Sequence, residues 1–382
     1  MTPTPLAPPA DPGALRAAFD AAGRADLTVG LEEELMLLDP ETFDLAPRAA
    51  EVVEGRAGDP RYKLELPAAQ IELVTPPAPS VPAAAAVLAG ARRDLAAALH
   101  GELLVAGSGT HPFAAAEGTL NEGPRYDRIQ AEYGSIARRQ LIFGMHVHVA
   151  VAGADRALAV HDALRGHLPE LAALAANAPF HDGRDTGLAS VRPKISRLLP
   201  RQGVPPALRD WDAVAEAMRW GAACGAVPEP RLWWWELRLH PTYGTVELRV
   251  PDTQATIGDA AAIAAVAHAL VADLAARFDA GEPLPAAPTW RIEENSWAAC
   301  RHGLDAPLAD LVTGDRRPAR ERIAELLDSL GPAARERGCE PELAAARRLL
   351  ERNGAERQRA VAAEEGLAAV PAWLAGRLLE GI

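Results

Sequence analysis

Five short segments of this chain alternate apolar and polar residues with a period of two, and their polar positions carry glutamate, histidine and arginine. That period sends successive side chains to opposite faces of a strand, so residues i and i+2 share a face about 6.6 Å apart. In Ile142–Val151, Phe143, Met145, Val147 and Val149 form an apolar face, and Gly144, His146 and His148 form the other. Thr245–Val250 sets Val246, Leu248 and Val250 against Thr245, Glu247 and Arg249. Leu232–His240 sets Trp233, Trp235, Leu237 and Leu239 against Glu236, Arg238 and His240. In Ala69–Thr75, Ile71 and Leu73 oppose Gln70 and Glu72; in Thr28–Leu38, Glu32 and Glu34 share a face and Glu33 takes the opposite one. One such strand reads as a wetted sheet surface. Five together, collecting Glu32, Glu34, Glu72, Glu247, His146, His148 and Arg249, read as a divalent-metal site.

Between these strands lie alanine-rich stretches with helical periodicity: Pro82–His100, Ala154–Ala176, Arg209–Cys224, Thr256–Ala280 and Pro341–Glu365. The tetrapeptide Pro241–Gly244 is turn-forming and predicts an antiparallel hairpin between the last two strands. No glycine-rich βα turn and no regular βα alternation is present, which favours an α+β fold. The expected architecture is an antiparallel sheet with helices on one face and a polar, concave, metal-binding face on the other. The proline-rich start predicts a flexible leader over 1–25, followed by a single catalytic domain over 26–382.

Composition narrows the function classes. Of the 382 residues, 39 are basic and 52 acidic, a formal net charge of −13, which argues against nucleic acid as a partner. Lys63 and Lys194 are the only lysines and neither follows a glycine, so no GxxxxGK phosphate loop exists. Any ATP must be held another way. The apolar run Ala260–Ala276 contains His268 and Asp273, and its Ile263, Val266, Leu270 and Leu274 recur at helical spacing, which suits a buried helix and not a membrane span. Cys224, Cys300 and Cys339 form no disulfide framework, so a reducing cytoplasm is the expected setting.

Carboxylates with imidazole suit Mg²⁺ or Mn²⁺ better than structural zinc. Two same-face glutamates on one strand can serve two ions about 3.5–4 Å apart, the separation of two-metal phosphoryl chemistry. Metal-held triphosphate would also replace the missing phosphate loop.

These residues lie in segments with a family resemblance: TVGLEEELMLLDP (28–40), QIELVTPP (70–77), FGMHVHVAV (143–151), PFHDGRDTGLASVRP (179–193), LWWWELRLHPTYGTVELRVPDTQ (232–254) and ENSWAACRHGLDAP (294–307). In this order they resemble the carboxylate-amine ligases, the glutamate–cysteine ligase type 2 family, within the glutamine-synthetase-like fold. The resemblance implies an ATP-dependent ligase that converts a carboxylate, typically the γ-carboxylate of glutamate, to an acyl phosphate for attack by cysteine or another amine. Carried over by position, it implies that Glu32, His146 and Glu247 hold the metal nearer the nucleotide, and Glu34 and Glu72 the metal nearer the substrate. Arg249 would stabilise the transferring phosphoryl group, and His148 would line the nucleotide side. A homodimer is a further expectation from the resemblance.

Arg184 and Arg192, in an arginine-rich loop, are candidate carboxylate contacts because a guanidinium fork suits that group; Arg184 is also a candidate catalytic residue. Trp234, on the polar side of its strand, is a candidate border of the substrate pocket. His111 fits either a site loop or a structural turn. Two other classes stay open: a metal-dependent amide hydrolase, since HxH motifs also occur there, and a catalytically idle nucleotide-binding relative.

Overall fold

Strand β1 (Val29–Leu38) organises the molecule because it finds partners along both edges. The computed structural model describes residues 12–22, 25–56, 58–225, 227, 232–240 and 242–381. The main sheet also contains β2 (Tyr62–Leu64), β3 (Gln70–Val74), β4 (Leu104–Ala106) and β5 (Met145–Ala150). After a small ribbon of β6 (Phe180–His181) and β7 (Arg184–Asp185), it is completed by β8 (Leu237–His240) and β9 (Thr245–Leu248). The sheet runs β2-β3-β1-β5-β9-β8, with β4 also on β1, and every pairing in it is antiparallel. The β8–β9 pair is the expected hairpin, with Leu237 opposite Leu248.

The apolar face does what its alternation predicts. Leu31, Leu35, Ile71, Leu73, Val147, Val149, Leu237, Val246 and Leu248 are buried in the principal core. Helices Val81–Ala98, Ala154–Leu164 and Ile257–Asp279 pack against this side of the sheet. Thr256 caps the last of these, its hydroxyl accepting from the Asp259 amide at 3.0 Å. Ile257–Asp279 is long and apolar enough to cross a bilayer, but it is mostly buried inside the protein.

Several elements differ from their sequence expectation. Ala154–Ala176 breaks at a single 3₁₀ turn, Arg165–His167, before Leu168–Leu174, where Pro169 cannot continue the hydrogen-bond ladder. Pro341–Glu365 divides into Glu340–Glu351 and Gly354–Glu365 because Asn353 caps the second helix, in a capping box with Glu356. Only Leu237–His240 of the tryptophan segment is strand, so Trp233–Trp235 precede it. Phe143 falls ahead of β5 and joins Met36, Leu38, Val370 and Leu374 in a second small core. That cluster covers the far end of the β1 face that carries Glu32 and Glu34, leaving it polar only in its first half. Within the expected leader, Pro12–Ala22 is helical and buries Phe19 against Trp211; residues 1–11 lie outside the described set.

Candidate active site

Strand register assembles the polar residues in rows. Glu32 lies opposite His146 across β1–β5, and Gly30 opposite His148. His148 lies opposite Glu247 across β5–β9, and Glu247 opposite Arg238 across β9–β8. Glu34 lies opposite Glu72 across β1–β3. Continuing the same register places Arg249 beside His146 and Glu236 beside Arg249, and the Arg249 amide does donate to the Glu236 carbonyl at 2.8 Å.

Side-chain contacts tie the rows together. His146 Nδ1 is 2.9 Å from Glu32 Oε2. His148 Nδ1 is 3.0 Å from Thr245 Oγ1, while its Nε2 faces Glu32 Oε1 at 3.5 Å and Glu247 Oε1 at 3.7 Å. Glu247, fully buried, accepts from Arg238 through both oxygens at 2.6 and 3.0 Å and from Arg249 Nη1 at 2.6 Å. Sequence reasoning placed Arg238 on this face without a role; the fork it makes with Glu247 follows from the hairpin register, which fixes those two side chains opposite one another.

Burial opposes charge on Glu32, but the hydrogen bond from His146 and the nearby His148 imidazole hold its carboxyl well below the usual range. Burial likewise opposes charge on Glu247, and Arg238, His148 and Arg249 overcome it. Glu72 goes the other way: burial and the neighbouring Glu32 and Glu65 carboxylates hold its pKa well above normal. Burial and Glu65 push Glu34 up to about 7, against Arg192. Burial and Arg249 push His146 down to about 4, against Glu32, so its imidazole is neutral and keeps a lone pair for a metal.

The donor set fits divalent cations. One oxygen or nitrogen from each of Glu32, His148 and Glu247 lies within 4.8 Å of the others, and so does one from each of Glu32, Glu72 and His146. His148 Nε2 is buried with no hydrogen-bond partner although two carboxylates face it. Against burial, Glu247 and Glu32 raise the pKa of His148 and favour a proton on this nitrogen; a bound cation would take that proton's place, with Thr245 fixing the ring from behind. Proximity therefore groups the histidines differently from the family carry-over: His148 with Glu247, and His146 with Glu72. Glu34 stands slightly apart, its Oε2 accepting the Gly144 amide.

The remaining candidates have other surroundings. Arg192 is buried and donates to the Arg249 and Val250 carbonyls at 2.8 and 3.1 Å, which fixes the backbone that carries Arg249. A Cβ on Gly144 would run into that guanidinium, which explains glycine there. Arg184 is largely exposed and pairs with Asp182 at 2.5 Å. Trp234 packs edge-on to Tyr133 and under Arg201. His111 is a turn histidine, taking the Ala114 amide on Nδ1 at 2.9 Å and bonding the Phe43 carbonyl through Nε2 at 2.9 Å. Glu33, on the apolar face, is buried in an ion pair with Arg92. Lys194 lies over Trp297, and Arg301 donates to the Gly187 carbonyl.

An antiparallel sheet presenting clustered carboxylates, imidazoles and arginines is equipped for metal-assisted phosphoryl chemistry. Residues 28–370 match the model of glutamate–cysteine ligase family 2. A Rubrobacter xylanophilus protein named "Putative glutamate--cysteine ligase 2-3" is 42% identical over 348 residues, covering 89% of this chain and 93% of that one. A Corynebacterium glutamicum protein named "Putative glutamate--cysteine ligase 2" is 38% identical, covering 89% and 92%. Among solved structures, the glutamate–cysteine ligase of Francisella tularensis in complex with AMP superposes with a TM-score of 0.68 at 13% identity, covering 92% of this chain and 89% of that one. A bifunctional glutathione synthetase from Pasteurella multocida gives 0.61 at 16% identity, covering 96% and 55%. The protein is an ATP-dependent ligase of the carboxylate-amine class. The chain belongs to glutamate–cysteine ligase family 2.

Proposed function

We propose that this enzyme joins the γ-carboxylate of glutamate to the amine of cysteine or a related small amine through an acyl phosphate. The observation that carries the reading is the placement of His148 Nε2, buried without a hydrogen-bond partner between the Glu32 and Glu247 carboxylates and one strand from Arg249. Glu32, His148 and Glu247 would hold one Mg²⁺ or Mn²⁺, and Glu32, Glu72 and His146 a second, with Glu34 beside it. Bound there, the cations would neutralise phosphate oxygens of ATP.

The carboxylate oxygen of the acid attacks the γ-phosphorus, the bond to the β–γ bridging oxygen breaks, and ADP leaves. The amine nitrogen then attacks the acyl carbon, phosphate departs, and the nitrogen loses a proton to give the amide. Arg249, tied to Glu247 and 3.4 Å from His146 Nδ1, is positioned to share charge on the transferring phosphoryl group. Arg192 behind it fixes its main chain, so the guanidinium is aimed before substrate arrives.

Hydroxylamine in place of the amine tests the reaction class. With ATP, Mg²⁺ and the acid, a hydroxamate should form together with ADP and phosphate, with glutamate the leading acid. AMP and pyrophosphate would mean adenylate chemistry; ATP-independent amide cleavage would favour a hydrolase; nucleotide binding without turnover across the acid panel would favour an idle relative. Arg249→Lys keeps the charge but loses the planar fork, so kcat should fall more than ATP affinity. A rise in the KM for ATP at unchanged kcat would reassign Arg249 to ground-state anchoring.

A further inference from the structure

Next to Arg249, at the β8 edge of the polar face, charged side chains hold buried polar atoms with hydrogen-bonding capacity unused. The Glu236 side chain is only 10% exposed and its Oε2 has no partner. Its Oε1 faces Arg197 Nη2 at 4.0 Å, well beyond the distance of roughly 2.8 Å that a charge-assisted bond adopts. Arg197 also faces Glu293, at 3.7 Å, and its Nε is buried and unpartnered. Arg192 Nε is a third buried polar atom without a partner. Gly203, at φ 87°, backs the Arg197 guanidinium so closely that a Cβ there would displace it.

A buried carboxylate facing a half-buried guanidinium, held just out of bonding range and with the arginine Nε buried and unpartnered, is costly unless something completes the pair. The missing complement is a small group carrying both charges. We propose that Glu236 and Arg197 form a clamp for the α-ammonium and α-carboxylate of an amino-acid substrate, Glu236 taking the ammonium and Arg197 the carboxylate. This rests on the ligase reading and assigns specificity within it. Glu236 and Arg249 are neighbours across adjacent strands, about 4.8 Å apart. An extended glutamate side chain covers about 4 Å from its α-carbon to its γ-carboxylate carbon. An amino acid seated on the clamp therefore delivers its side-chain carboxylate toward Arg249 and His146. Burial raises the pKa of Glu236 in the free protein, so a ligand ammonium would supply the counter-charge that its ionised form lacks.

The test compares L-glutamate with glutarate, which lacks the ammonium, and with 4-aminobutyrate, which lacks the α-carboxylate. Calorimetric binding to the full chain without ATP, together with KM values in the hydroxamate assay, gives the selectivity. The wild type should prefer L-glutamate or L-aspartate over both analogues. Glu236→Gln should weaken L-glutamate by roughly 10- to 100-fold while leaving glutarate and the KM for ATP within about twofold. Arg197→Gln should do the same with 4-aminobutyrate as the insensitive ligand. A merely structural defect would depress both members of each pair together, and that outcome overturns the clamp, as does a wild type that binds neither amino acid. Failure to form ADP with any acid would strike the ligase reading alone, and the calorimetric ratios would still decide the clamp.

Discussion

Glu72→Gln should lower Mg²⁺- or Mn²⁺-dependent ATP turnover by at least about 100-fold, the upper range for losing even an outer-shell partner of a metal ligand, while leaving thermal stability nearly unchanged. Burial and two neighbouring carboxylates already disfavour the charge of Glu72 in the free protein, so a neutral carboxamide of the same shape costs the fold little. Turnover needs the charged form, because a hard cation binds a carboxylate and not an amide. Glu247→Gln should differ in kind. It removes the counter-charge of Arg238 and Arg249, so activity and stability should fall together. Isothermal metal titration, ATP turnover and thermal melts on both variants separate the cases. A Glu72→Gln enzyme with near-normal rate and metal dependence would remove that residue from the site.

The polar face was legible in the sequence because a strand's period of two is strict, so same-face residues could be named within each segment. Neighbours between segments were not. That Glu32 meets His146, and Glu34 meets Glu72, depends on strand order and register, which local alternation leaves open; hence the two histidines could not be divided between metals from sequence. Strands β2 and β4, at three residues each, are too short to show a period. The unpartnered atoms of Glu236 and Arg197 leave no mark in sequence at all, since they arise from the packing of the loop around Gly203 against the sheet edge. Glu33 was visible as an acid on an apolar face, but its reason lies 59 residues away in a helix.

That reason supplies the largest expected effect on stability. Arg92 and Glu33 are both fully buried, with Arg92 Nε 2.8 Å from Glu33 Oε2 and a second bond from Nη2 to Oε1. The same guanidinium donates to the carbonyls of Gln254, Ala255 and Leu378 at 3.0–3.3 Å. One side chain thus joins the back of β1, the segment that follows β9, and the C-terminal region. Arg92→Ala should cost about 3–5 kcal/mol, the range for stranding one partner of a buried ion pair, read as a lower urea midpoint. Glu33→Gln should cost less, because the amide oxygen still accepts a hydrogen bond from the guanidinium. The double change Glu33→Gln with Arg92→Met should recover only part of the loss: it removes the stranded charge but still leaves three backbone carbonyls without their donor. Since Glu33 is flanked by Glu32 and Glu34, the destabilised variants should also bind metal more weakly before they unfold. Urea midpoints for Arg92→Ala indistinguishable from wild type would show that the pair is dispensable, and that β1 is held in register by its strand neighbours alone.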